Sequence, residues 1–124
     1  ASRINGCNLN QAMVAEGCVI KDSTIQHSIV VLRSQIGEGT LIKDTIVMGC
    51  DWYGNLRNGA SLGIGKNCSI EGAIIDKNAS IGDNVVIKPF PDDKDIDGDY
   101  YYVSDGVVII PKHTTIPAGT LIKP

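Results

Sequence analysis

Aromatic side chains are scarce in this chain. They make up 5% of the residues, with a single Phe and a single Trp. The apolar weight lies instead in Ile, Val, Leu and Ala, alongside 14 glycines. A core of stacked β-branched side chains with glycine corners suits that mixture better than a sandwich or a helical bundle. There is no basic excess, since 11 Lys and Arg face 14 Asp and Glu for a net charge of −3. That balance makes nucleic acid and an anionic membrane poor partners. No apolar run approaches the roughly 20 residues of a membrane span. No charged-then-apolar leader opens the chain. The repeat described below begins almost at Ala1, so a segment of something longer is expected. The cysteines, Cys7, Cys18, Cys50 and Cys68, contain no C-x-x-C pair, and neither histidine stands near them in a ligand pattern. Zinc is therefore not expected, and no metal site is assigned. Buried or half-buried thiols in a reducing cytosol are.

What the chain does have is a repeat. In IGKNCSIEGAIIDKNASIGDNVVI an aliphatic residue returns at Ile64, Ile70, Ile75, Ile81 and Ile87. Steps of five and six residues are too long for an amphipathic helix and too regular for a loop. They fit hexapeptide β-helices, in which each short strand turns one side chain inward before a corner. The same spacing marks Ile4, Leu9, Val14, Ile20, Ile25, Val30 or Val31, Ile36, Ile42 and Val47, and later Ile110, Ile116 and Ile122. Gly37 and Gly39 relieve one corner, and Thr40 fits a small inward position. The expected fold is all-β: a triangular parallel β-helix of about five coils, at roughly 18 residues per coil. A single domain over residues 1–124 is expected.

Two interruptions are expected to leave the stack. DWYGNLRNGASL, residues 51–62, carries the lone Trp. PFPDDKDIDGDYYYVSDG, residues 89–106, holds two prolines, six aspartates and three consecutive tyrosines. Proline stops strand pairing and the aspartates favour water. Tyr100 to Val103 can form a strand or fold back on the stack.

Catalytic signatures are missing. No nucleophile elbow or Walker sequence is present. Gly63-Ile64-Gly65-Lys66 is too short for a phosphate loop and reads as a corner. Hexapeptide acyltransferases resemble such a fold and use a histidine base, which makes His27 the candidate for an alternative, stand-alone acyltransferase reading. Arg33, Lys77 and Lys112 lie on separate coils. If they converge on one side, they form a natural site for a phosphorylated metabolite.

Three stretches carry a resemblance: IVVLRSQIGEGTLIKDTIVMGCDWY, LGIGKNCSIEGAIIDKNASIGDNVVI and DGVVIIPKHTTIPAGTLI. In this order they resemble the C-terminal β-helix domain of ADP-glucose pyrophosphorylase (glucose-1-phosphate adenylyltransferase), in its plant and cyanobacterial branch. The match runs from about Ser28 to Ile122. LRS, MG-x-D-x-Y, GIGKN and AIIDKNA-x-IG are its specific motifs. The chain departs in a short loop after Tyr53 and in an acidic, tyrosine-rich stretch before the closing coil.

The resemblance implies a left-handed helix that helps assemble a tetramer and forms part of an allosteric site. It implies that Lys77 and Lys112 bind an activator, that Arg33 serves phosphate or inhibitor, and that Asp76 lies beside them. It further implies an N-terminal nucleotidyltransferase domain, absent here, that makes ADP-glucose and pyrophosphate from ATP and glucose 1-phosphate with Mg²⁺. No catalytic residue and no cofactor is then expected in this chain. Its partners would be that domain, other subunits and a phosphorylated effector. Its location would be cytoplasmic, or plastidic in a plant.

Overall fold

The computed structural model describes residues 3–52 and 61–124. The expected excursion at 51–62 therefore falls largely outside the described residues, as do Tyr53 of the MG-x-D-x-Y motif and Arg57. Every regular element among the described residues is a strand, none longer than the four residues Val107–Ile110.

The strands wind into three faces. The first face stacks Arg3–Asn5, Val19–Lys21, Gln35–Ile36, Gly63–Ile64, Ser80–Ile81 and Thr115–Ile116. The second stacks Asn8–Asn10, Thr24–Gln26, Leu41–Lys43, Ser69–Glu71, Val86–Ile87 and Leu121–Ile122. The third stacks Met13–Val14, Ile29–Val30, Ile46–Val47, Ala73–Ile75 and Val107–Ile110, all parallel. The chain visits the faces in rotation, completing five coils and two sides of a sixth. The 89–106 segment is not structureless. Ile96–Asp97 and Tyr102–Ser104 form antiparallel strands that extend the third face beyond Val107–Ile110.

The repeat anchors are the registered residues. Ile4, Ile20, Ile36, Ile64, Ile81 and Ile116 pair in sequence on the first face. Leu9, Ile25, Ile42, Ile70, Ile87 and Ile122 do so on the second. On the third the column is Val14, Val30, Val47, Ile75 and Ile110, so Val30 and not Val31 turns inward. Like stacks on like about every 4.8 Å, the spacing of neighbouring strands. Ile70, Ile87 and Ile110 are wholly buried, whereas Ile4 is 43% and Leu9 41% exposed. The two exposed anchors belong to the first coil, which has a neighbour on one side only.

A second inward column accompanies the first. The residue two places before many anchors is small, and Cys18, Ser23, Ser34, Thr40, Cys68 and Ala79 are all buried there; Leu62, Val85 and Val108 fill the same position before Ile64, Ile87 and Ile110. Its polar members tie coil to coil. Ser23 Oγ donates to the Gly37 carbonyl, Thr40 Oγ1 to Gly65 and Cys68 Sγ to Gly82. Backbones approach closely along this corner: a Cβ on Gly37 would lie 2.7 Å from the Gly65 carbonyl carbon. Cys18 and Cys68 are thus core spacers. Burial pushes the thiols of Cys18 and Cys68 up, which disfavours thiolate chemistry.

Corners explain the alternating step. Each needs one residue in the left-handed region. Where the step is five, that residue stands two places after the anchor, as at Asp22, His27, Asp44 and Gly72. Where the step is six, it stands three places after, as at Arg33, Asn67, Asn78, Asn84 and His113. The extra residue lengthens the corner without changing the strand register.

Candidate functional site

The edge between the third and first faces collects the charged residues singled out in the sequence. Successive coils cross it as Glu16-Gly17, Leu32-Arg33, Gly49-Cys50-Asp51-Trp52, Asp76-Lys77-Asn78 and Pro111-Lys112-His113. Backbone bonds hold the crossings in register. The Arg33 N–H donates to Glu16 O, Cys50 to Leu32 O, Asn78 to Gly49 O and His113 to Lys77 O. Lys77 and Lys112 each follow by two residues the paired Ile75 and Ile110, so they stack directly, with backbones roughly 4.8 Å apart. Arg33 lies two coils below Lys77 and one residue further around the corner.

The side chains of this edge do different things. Arg33 holds φ 55°, a conformation that Gly, Asn or Asp adopts more readily. Its Nε donates to the Cys50 carbonyl over 2.9 Å, leaving the rest of the guanidinium on the edge. Asp76 turns inward along the chain: its Oδ1 accepts from the Lys77 N–H at 2.7 Å. It shapes the turn that presents Lys77. Lys77 points out, half-exposed, with Nζ 3.5 Å from Asp51 Oδ1. Lys112 is exposed, and neither it nor Arg33 makes an ion pair among the described residues.

Asn78 connects the edge to the excursion. Its side chain is 1% exposed. Oδ1 accepts from the Asp51 N–H at 2.8 Å, and Nδ2 donates to Asp51 Oδ2 at 3.0 Å. The Asp51 carboxyl is held below its ordinary range, first by the Asn78 amide and then by Lys77 and Arg33. Beside it, the Trp52 ring stacks on His113 with centroids 6.4 Å apart and planes 26° from parallel. Asp51, Trp52, Asn78 and His113 were not singled out as site residues by sequence. Only the position of Asn78, next to Lys77 in the DKN motif, hinted at a role.

His27 stands elsewhere, on the edge between the second and third faces. It is a corner residue at φ 47°. Its side chain is 73% exposed, and Nδ1 lies 2.7 Å from Asp44 Oδ1. Beside it runs a shallow groove of about 410 Å³ floored by Met13, Ile29 and Ile46. The stacked cations do not reach it.

Comparison with known proteins agrees with this architecture. The model of the GLGC left-handed parallel β-helix domain matches residues 1–121, which sets the hand of the helix as left. A wheat (Triticum aestivum) protein named glucose-1-phosphate adenylyltransferase small subunit, chloroplastic/amyloplastic, is 40% identical over 131 residues. That match covers 98% of this chain but 28% of the wheat protein. A maize (Zea mays) glucose-1-phosphate adenylyltransferase small subunit is 42% identical over 125 residues, covering 92% of this chain and 100% of the maize sequence. A left-handed β-helix with these anchors, corners and relatives has one assignment: the chain belongs to the glucose-1-phosphate adenylyltransferase family, as its GLGC left-handed parallel β-helix domain.

Proposed function

We propose that this chain is the regulatory and assembly domain of an ADP-glucose pyrophosphorylase, and that its third-to-first edge is part of the allosteric site. The observation that carries the reading is the stacking of Lys77 and Lys112 on one corner, with Arg33 on the same edge. Like charges placed in a column repel one another. An anion with two or more charges relieves that repulsion and gains charge-assisted hydrogen bonds from several donors at once. A phosphorylated metabolite meets those requirements. In this reading Lys77 and Lys112 hold the effector phosphate, Arg33 extends the positive edge, and Asp76 positions Lys77 through its backbone.

The whole enzyme would join ATP and glucose 1-phosphate into ADP-glucose and pyrophosphate, feeding glycogen or starch synthesis. Its metal-dependent chemistry belongs to a nucleotidyltransferase domain outside these residues. Among the described residues no three His, Cys, Asp or Glu side chains gather as a metal ligand set. The partners would be that catalytic domain and further subunits of a tetramer. The wheat relative is named as chloroplastic/amyloplastic, which supports a plastid location if the source is a plant. No helix among the described residues is long and apolar enough to cross a membrane.

The test is effector titration of a full-length enzyme carrying this domain, with Lys77→Ala and Lys112→Ala. Each variant is expected to need at least tenfold more activating sugar phosphate or triose phosphate for half-activation, with turnover in the absence of effector unchanged. Activation curves that superimpose on those of the parent enzyme would sink the site assignment.

A further inference from the structure

Asp51 interrupts the cationic edge, and its placement is firm. Asp51 Oδ1 lies 3.5 Å from Lys77 Nζ. Exposed ion pairs are usually loose, because both side chains must be ordered to make them. Here one partner is already ordered. The buried Asn78 amide grips Asp51 twice, by accepting from its N–H and donating to its other carboxylate oxygen. Backbone bonds at Cys50 and Asn78 fix the two crossings that carry this clasp. The carboxylate is therefore a fixed charge, and the flexible member of the pair is Lys77.

We propose that Asp51 is a built-in counter-anion that occupies Lys77 in the effector-free state and holds down the affinity of the edge for anions. This inference rests on the allosteric reading of the edge given above. An incoming anion must draw the Lys77 ammonium away from Asp51 and tolerate a fixed negative charge a few ångströms off. A monoanion offers Lys77 no more charge than Asp51 already does. A dianionic phosphate offers more, and it engages Lys112 in the same step. Asp51 thus lowers affinity for every anion, and for a dianion most, because its fixed charge repels two negative charges about twice as strongly as one. The weaker binding suits a site that must release its ligand as metabolite levels fall.

The experiment is a titration of the chain with inorganic phosphate, followed by amide and indole NMR shifts at Asp51, Trp52, Lys77 and Lys112. Chloride at matched ionic strength is the monoanion control. Asp51→Asn is isosteric and keeps both bonds to Asn78, so the clasp survives while the charge is lost. It is expected to bind phosphate roughly three- to tenfold more tightly, an effect that shrinks with added salt. It is also expected to widen the phosphate-over-chloride preference, since the lost charge repels a dianion about twice as strongly as a monoanion. Asp51→Ala, a second variant, should tighten binding too, even if the clasp is lost. Lys77→Ala and Lys112→Ala separate the two readings. If they lose binding while Asp51→Asn binds phosphate no better than the parent chain, the counter-anion role is overturned and the site stands. If they bind as the parent does, or if no variant shows saturable shifts on this edge, the site reading falls and the counter-anion role with it.

Discussion

Two edges of the β-helix carry stacked charges, and they are built on opposite plans. Beside the second-to-third corner, Lys43, Glu71 and Lys88 follow one another coil by coil. Glu71 bridges both lysines, Oε1 to Lys43 and Oε2 to Lys88, each at 3.6 Å. Signs alternate, and His27 pairs with Asp44 on the same edge. On the third-to-first edge, Lys77 sits directly beneath Lys112 with nothing of opposite sign between them. Asp51 meets Lys77 from the side, one crossing below. Alternating charge neutralises an edge. Same-sign stacking leaves it charged, at some cost in stability, and is expected where a ligand completes the balance. The corner residues set the first-to-second edge apart from the other two, since the second-to-third edge also places Gln11 and His27 in the left-handed region. Along the first-to-second edge the left-handed positions are Gly6, Asp22, Gly39, Asn67, Asn84 and Gly119, all residues that accept that conformation readily. Along the third-to-first edge Arg33 and His113 occupy equivalent positions.

Neither edge holds the fold together, and mutation can separate the two tasks. Ile70 is fully buried in the middle of the second-face column. Ile70→Ala should cost about 2–5 kcal/mol in a denaturant titration, whichever edge is considered, because the stacked coils collapse poorly around the gap. A cost near that of a surface change would mean that the edges, not the anchor ladder, carry the stability.

The Asn78 clasp comes next in size. Asn78→Ala removes both bonds to Asp51 and forces a Cβ-bearing residue without a polar tip into φ 59°, and should cost about 1–3 kcal/mol. Asn78→Gly restores the conformation but not the clasp, so it should recover part of that loss. If the two variants are equal, the clasp alone matters and the corner conformation is without consequence.

Smaller still are the charges themselves. Glu71→Gln should destabilise by under about 1 kcal/mol, and the effect should fade at high salt. Lys112→Ala should change stability by no more than about 0.5 kcal/mol, and any gain should appear at low salt, where the repulsion from Lys77 is least screened. A clear loss of stability in Lys112→Ala would erase the contrast between the edges. Acid provides a related probe. Because the Asp51 carboxyl titrates lower when folded, its contribution is present above the unfolded value near about 4 and is lost as pH falls through the folded value. Asp51→Asn should therefore flatten the acid limb of the stability curve below about pH 4, because it forfeits at neutral pH the contribution that the parent chain loses only in acid.

The anchor ladder was legible in sequence because it is local. A β-branched residue every five or six positions names both the strand and its inward side, and every anchor from Ile20 onward has its partner one coil away. The small inward column was equally present in the text as the residue two before many of the anchors. Thr40 was read that way; Cys18, Ser23 and Ser34 obey the same rule. What spacing could not supply is register across an interruption. Asp51 and Asn78 are 27 residues apart, with residues 53–60 and a complete coil between them. No period counts through such a segment, so their clasp is visible only in three dimensions. The same holds for Trp52 on His113. Coil geometry likewise decides that Arg33, Lys77 and Lys112 share an edge. Their spacing in sequence is irregular because residues 51–62 and 89–106 intervene.

The most direct test of the central claim is to map where a phosphate dianion settles. Inorganic phosphate titrated into the chain, with backbone amides followed by NMR, should shift Lys77, Asn78, Lys112 and His113 together with one saturation curve, along with the Trp52 indole. Shifts centred on the His27–Asp44 edge, or spread over both edges without saturation, would contradict it.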